Sequence, residues 1–151
     1  MMKKVIFICL IFLFVSSCGY EPLISKNTNF SLKVIELGGS SKINYIIKSR
    51  LKIYEEKNNN NYNLEIVDSK INKIITSKDI KGNPKTHELT IKLNINLKEN
   101  SNLIDQDKNF IISTNYDTMS SKFELKKYEE NLIKNLTEKI LDNVIIYIQT
   151  L

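Results

Sequence analysis

Between Glu88 and Lys98 the chain alternates without a break: Leu89, Ile91, Leu93, Ile95 and Leu97 stand between Glu88, Thr90, Lys92, Asn94, Asn96 and Lys98. Successive side chains of a strand point to opposite faces, so burying the apolar row commits the polar row to water. A strand of this kind needs sheet neighbours and an apolar layer over one face only, which excludes an all-helical bundle. The rest of the chain supplies both. Phe30, Leu32 and Val34 alternate with Ser31 and Lys33 and stop at Gly38-Gly39, which predicts a first strand at about 30–37. Ser40 or Ser41 can cap a helix over about 42–56, whose Ile43, Ile46, Ile47, Leu51 and Tyr54 recur at three and four. The Asn58 to Asn61 run has nothing to bury and reads as a turn. Tyr62, Leu64 and Ile66 begin a second strand whose apolar parity changes afterwards, so a bulge or bend is expected near Asp68 to Lys70.

A Gly82/Pro84 loop over Ser77 to Lys85 leads into the long strand, and Glu99 to Lys108 reads as a polar hairpin turn before a fourth strand with Phe110, Ile112, Thr114 and Tyr116. Ser121 with Glu124 forms a capping box for a final helix running from Leu125 to Leu151 at helical spacing, about 28 residues and about 42 Å long, enough to cross the sheet diagonally and protrude. Extra apolar residues at Ile133, Leu141, Ile145, Ile146 and Ile148 widen its stripe and suggest a second buried surface, such as a partner. The expected fold class is α+β: a two-layer sandwich of a four-stranded, mainly antiparallel sheet with two helices on one face, in the order β-α-β-β-β-α.

The first twenty residues follow a different logic. Lys3 and Lys4 precede an unbroken apolar run from Val5 to Val15, and Ser16-Ser17 are small residues directly before Cys18. This is the pattern of a secretory signal. Eleven helical residues reach about 17 Å, well short of a hydrocarbon core about 30 Å thick, so the run is too short to span. Val15-Ser16-Ser17-Cys18 resembles the lipobox of bacterial lipoproteins, in which the cysteine is acylated, palmitate being one of the chains, and becomes the first mature residue. An ordinary signal that happens to precede a cysteine is the alternative. The expected organisation is a signal peptide at 1–17, a lipidated tether at 18–29 and one domain at 30–151, held to the membrane through Cys18. By resemblance to Gram-negative sorting rules, Gly19 in place of an aspartate favours the periplasmic side of the outer membrane.

Composition narrows the chemistry. With one histidine and two cysteines, one of them in the signal, a Cys/His zinc cage and a disulfide framework are excluded; no metal and no cofactor is expected. His87, beside Glu88, reads as an exposed strand-end residue rather than a catalytic one. No nucleophile elbow or phosphate-cradling glycine loop occurs, and Asp105 and Asp107 in a polar turn read as solvated carboxylates, so no catalytic residue is nominated and no enzyme is expected. Basic residues total 22 against 17 acids, but all except Arg50 are lysines scattered among the acids, which speaks against nucleic acid.

Several features then combine: Cys18-Gly19-Tyr20-Glu21-Pro22-Leu23 after the lipobox, Tyr62-x-Leu64-x-Ile66, the strand at 88–98, Ser113-x-x-Tyr116 and a long final helix with Glu129-Glu130. Together with the element order, the chain resembles the LptE family of lipopolysaccharide-assembly lipoproteins over essentially its whole length. The resemblance implies a non-catalytic outer-membrane lipoprotein that forms a plug-type complex with the LptD β-barrel, supports assembly of that barrel, and takes part in lipopolysaccharide insertion into the outer leaflet. Lys78, Lys81 and Lys85 are nominated as lipopolysaccharide-binding residues by their chemistry alone, a solvated basic loop being the plainer reading. The alternative function is a periplasm-facing lipoprotein that binds a small ligand or another envelope complex.

Overall fold

A computed structural model describes residues 30–56, 61–101 and 105–151. The expected signal peptide, Cys18, its tether and the Asn58 to Asn60 part of the turn lie outside them. The alternating strand is β3 (Pro84–Glu99), and it sits between β2 (Tyr62–Lys78) and β4 (Asp105–Asp117), antiparallel to both. The short β1 (Leu32–Leu37) lies beside β2 in parallel, giving the order β1-β2-β3-β4. Two helices cover one face: α1 (Ser41–Leu51), which tightens into a 3-10 turn at Lys52–Tyr54, and α2 (Lys122–Gln149). The expected α+β class and element order are therefore observed. Among the described residues no helix is long and apolar enough to cross a membrane.

The core forms on the face that the alternation selects. Leu89, Ile91, Leu93, Ile95 and Leu97 are each at most 2% exposed, and they meet Ile43, Ile47 and Leu51 of α1 and Ile140, Leu141 and Val144 of α2 in one cluster. Ser121 accepts a hydrogen bond from the Glu124 backbone N–H, as the capping box predicts. The helix then runs back along β4, with Tyr128 against Tyr116 near its start and Tyr147 against Phe110 near its end. Its 28 residues reach about 42 Å at about 1.5 Å per residue, and near its start Glu129 also reaches across to Lys73 of β2. Its widened stripe is also accounted for within the chain: Ile133, Leu141, Ile145 and Ile148 are buried, and of the five extra residues only Ile146 is exposed.

The parity change in β2 comes from a bulge at Val67, one residue before the expected stretch: Ile66 pairs with Ile95 and Asp68 with Asn94, leaving Val67 unpaired and half exposed. Leu64 and Ile66 face the core before it, and Ser69 and Ile71 after it. The loop from β1 to α1 is seated on this bulge. Gly38 N–H donates to Ile66 O at 2.6 Å and Ser40 N–H to Ser69 O at 2.9 Å. The buried Asn44 side-chain amide donates to the carbonyls of Leu37 and Gly38 at 3.2 and 3.1 Å, while its Oδ1 lies 3.1 Å from the Ser69 hydroxyl. A Cβ on Gly38 would lie 2.3 Å from Val67 O, and Gly39 adopts a φ of +84°.

Two hairpins are longer than expected. Asp79 closes the β2–β3 turn within five residues, and Pro84 opens β3 where no ladder donor is required. The expected turn from Glu99 to Lys108 is partly strand, because Asn96 donates from Nδ2 to Asp105 at 2.9 Å and Asp107 at 3.0 Å and zips the polar ends together. Because the Gly38 clash is with backbone, Gly38→Ala is expected to cost about 2 to 3 kcal/mol. Urea unfolding should show a lower midpoint with an unchanged slope.

Candidate functional site

The nominated lysines are carried by the far end of the β2–β3 hairpin. Lys78 is the last residue of β2, Lys81 lies in the turn and Lys85 is the second residue of β3; all three are exposed, and none makes an ion pair within the described residues. The turn itself is rigidly tied. Asp79 Oδ1 accepts the backbone N–H groups of Lys81 and Asn83, both at 2.8 Å, and Oδ2 accepts from the Asn83 side chain at 3.1 Å. These bonds, the Asn83 amide foremost, hold the Asp79 carboxyl below the usual range. Gly82 takes a φ of +83°. The turn so formed lifts Ile80 fully into solvent among the lysines. Beside it an open depression of about 370 Å³ is lined by Asp79, Pro84, Lys85, Asp117, Thr118 and Met119. The tip thus sets one exposed apolar side chain among three lysines, with the Asp79 and Asp117 carboxylates beside them.

Behind the hairpin lies a cluster that pattern reading missed. His87 is buried, not an exposed strand end: its ring stacks on Tyr116 at 5.3 Å, and Nε2 lies 2.9 Å from the Thr118 hydroxyl. It occupies an inward position of the same row as Leu89, so the alternation continues one step further than its apolar members reveal. Tyr116 donates to Glu129 Oε1 at 2.7 Å, and Lys73 reaches the same oxygen at 2.6 Å. Burial pushes the Glu129 carboxyl up, but the hydrogen bonds from Lys73 and Tyr116 and the Lys73 charge outweigh it and leave the group below its ordinary value. Burial, then the Glu129 contact, push the Tyr116 phenol well up. The cluster fastens the first turns of α2 to the root of the hairpin and so fixes where the lysines stand.

The uncovered face of the sheet carries Glu88, Lys92, Asn94, Asn96 and Lys98 from β3, joined by Lys70 and Asn72 of β2 and Asn109 and Ser113 of β4. Ile111 at 57% and Ile74 at 46% exposure are its large apolar members. The expected polar face is present. Asp105 and Asp107 are brought together by Asn96 in a strand pair, and among the described residues no group of three or more metal-ligating side chains occurs.

No protein-family model and no curated protein matches the sequence. Solved structures do match in fold. The rare lipoprotein B from Shewanella oneidensis superposes with a TM-score of 0.55 at 13% identity, covering 76% of this chain and 92% of its own. An uncharacterized lipoprotein B from Nitrosomonas europaea gives 0.57 at 15%, covering 77% and 80%. A minor lipoprotein from Acinetobacter baumannii gives 0.54 at 11%, covering 80% and 93%. Bacterial lipoproteins share this fold. Identities this low speak for the architecture, and the coverage includes nearly all of the Shewanella and Acinetobacter chains.

For Glu129 the sign of the pH effect follows from its lowered pKa. Its contribution is complete above the ordinary value of 4.5 and is lost as pH falls through the lower folded value. Glu129→Gln should therefore be less stable than the parent at neutral pH, with the gap closing on acidification below about pH 4. Thermal melts followed across that range, with a constant gap as the opposing result, check this.

Proposed function

We propose that this chain is an LptE-type lipoprotein: acylated at Cys18, held on the periplasmic side of the outer membrane, and seated without catalysis in the lumen of an LptD-type β-barrel, where it supports barrel assembly and lipopolysaccharide insertion. The observation that carries the reading is the asymmetry of the sheet. One face is packed under two helices and the other is a broad polar surface, which suits the polar interior of a membrane barrel. The fold shared with bacterial lipoproteins and the Cys18-Gly19-Tyr20 start support the same reading.

Dimensions support it as well. β2 is 17 residues long, about 56 Å at 3.3 Å per residue. β1 starts opposite Tyr62, at the other end of β2 from the Asp79 turn, so the chain following Cys18 enters the sheet at the end remote from the lysines. The apolar band of an outer-membrane barrel is about 25 Å tall. A domain anchored on the periplasmic side and threaded hairpin first would carry Lys78, Lys81, Lys85 and Ile80 to the outer leaflet, where the phosphates of lipopolysaccharide lie. The second reading, a small-ligand lipoprotein, draws on the groove of about 380 Å³ between β1 and α1, lined by Val34, Leu37, Lys48 and Leu51 among others.

Capture of the tagged protein from outer membranes in mild detergent should recover a large β-barrel in one-to-one ratio. Recovery of the lipoprotein alone, with the tag shown to leave assembly intact, would move the reading to the small ligand. Replacing Lys78, Lys81 and Lys85 together by glutamine should leave barrel capture unchanged and weaken lipopolysaccharide binding roughly tenfold, at about 0.5 kcal/mol per exposed charge contact. Unchanged binding would remove the hairpin from the lipid-contact role.

A further inference from the structure

The sheet has two edges, and they are built differently. β1 is six residues long, breaks register at Ile35 and carries Lys33 and Glu36. Short length, a bulge and charge are the devices that keep an edge from recruiting another strand. β4 has no bulge: from Asp105 to Asp117 it matches β3 residue for residue without a shift. It contains no proline, and from Asn109 to Tyr116 it carries no Asp, Glu, Lys or Arg. Among the described residues nothing pairs with its outer side. The side chains along it are also incompletely covered. Phe110, Ile112 and Thr114 are half-buried on the helix side, although their register partners Leu93, Ile91 and Leu89 are at most 2% exposed. Ile111 on the open face is 57% exposed.

We propose that β4 is a docking edge to which an extended segment of a partner protein adds as a fifth strand, apolar on the α2 side and basic at its ends. Backbone groups supply the attraction and alternate side chains the selectivity. The basic ends follow from Asp107 and Asp117, which bracket the uncharged stretch on the open face. Their register partners in β3 are Asn96 and Thr86, neither a cation, whereas Asp105 has Lys98 opposite. The same acids select against a second copy of this chain. Antiparallel pairing of β4 with itself about Ile112 sets Asp107 against Asp117 twice, and pairing about Ile111 sets Asp105 against Asp117; like charges directly opposite destabilise a strand pair. The inference holds whichever protein supplies the strand and does not rest on the barrel reading.

The test uses the full chain in detergent micelles and two peptides of alternating valine and threonine, matched in length to the stretch from Asp107 to Asp117. One carries arginine at both ends, the other glutamate. Amide hydrogen exchange should show protection of β4 by the arginine peptide, with roughly tenfold weaker binding of the glutamate twin. Ile111→Lys changes only an exposed side chain; it should keep the parental melting temperature and bind the arginine peptide several-fold more weakly. Protection confined to β1, equal affinity for the two peptides, or no protection would overturn the proposal. So would concentration-dependent protection of β4 without peptide, which would put a second copy at this edge.

Discussion

The architecture depends on the contact between the Gly38-Gly39 turn and the bulge at Val67. A bulge inverts which residues of a strand face the core, so Ser69 and Ile71 are turned under α1 only because Val67 is unpaired. The turn reaches that bulge only because it has no side chain, since Gly38 passes within hydrogen-bond distance of Ile66 O. Asn44 and Ser69, both buried, then satisfy the loop carbonyls, and their geometry sets the direction in which α1 leaves β1. With α1 fixed, α2 has a wall to pack against, and the face of β3 between them closes.

A second anchoring point stands at the other end of the sheet. Lys73, Glu129, Tyr116 and His87 tie the beginning of α2 to the root of the β2–β3 hairpin. Beyond that root, apart from half-buried Ser77, every residue from Asn72 to Lys85 is exposed, and order comes from strand pairing and from the bonds that Asp79 makes. The molecule therefore has a packed body and, past the Thr86–Asp117 pair where β4 ends, a short projecting turn fixed by hydrogen bonds and not by a core.

What the sequence disclosed and what it hid follow from how far each interaction reaches along the chain. The alternation in β3 and the capping box at Ser121 are local, and both appear where residue spacing places them. The parity change in β2 announced a bulge, but its position at Val67 depends on the glycines of a loop about thirty residues earlier. His87 misled because a polar residue at a strand end is usually exposed, and nothing near it in sequence announces Tyr116. The strand character of Asp105 to Lys108 was hidden by its charges, which Asn96 gathers from across the ladder. For the lysines, position was legible, whereas the rigidity of the turn that displays them required seeing Asp79 reach Asn83.

The parallel pairing of β1 with β2 has a mechanical meaning. Phe30 and Ser31 lead into β1 at the Tyr62 end of β2, and the pairs from Leu32 with Tyr62 to Leu37 with Ile66 lie side by side. Tension applied there, against a body held by its hairpin end, shears these hydrogen bonds together and does not peel them one at a time. A chain tethered at this end is thus gripped in its mechanically strong direction, and the shortest strand of the sheet is the one that transmits the pull.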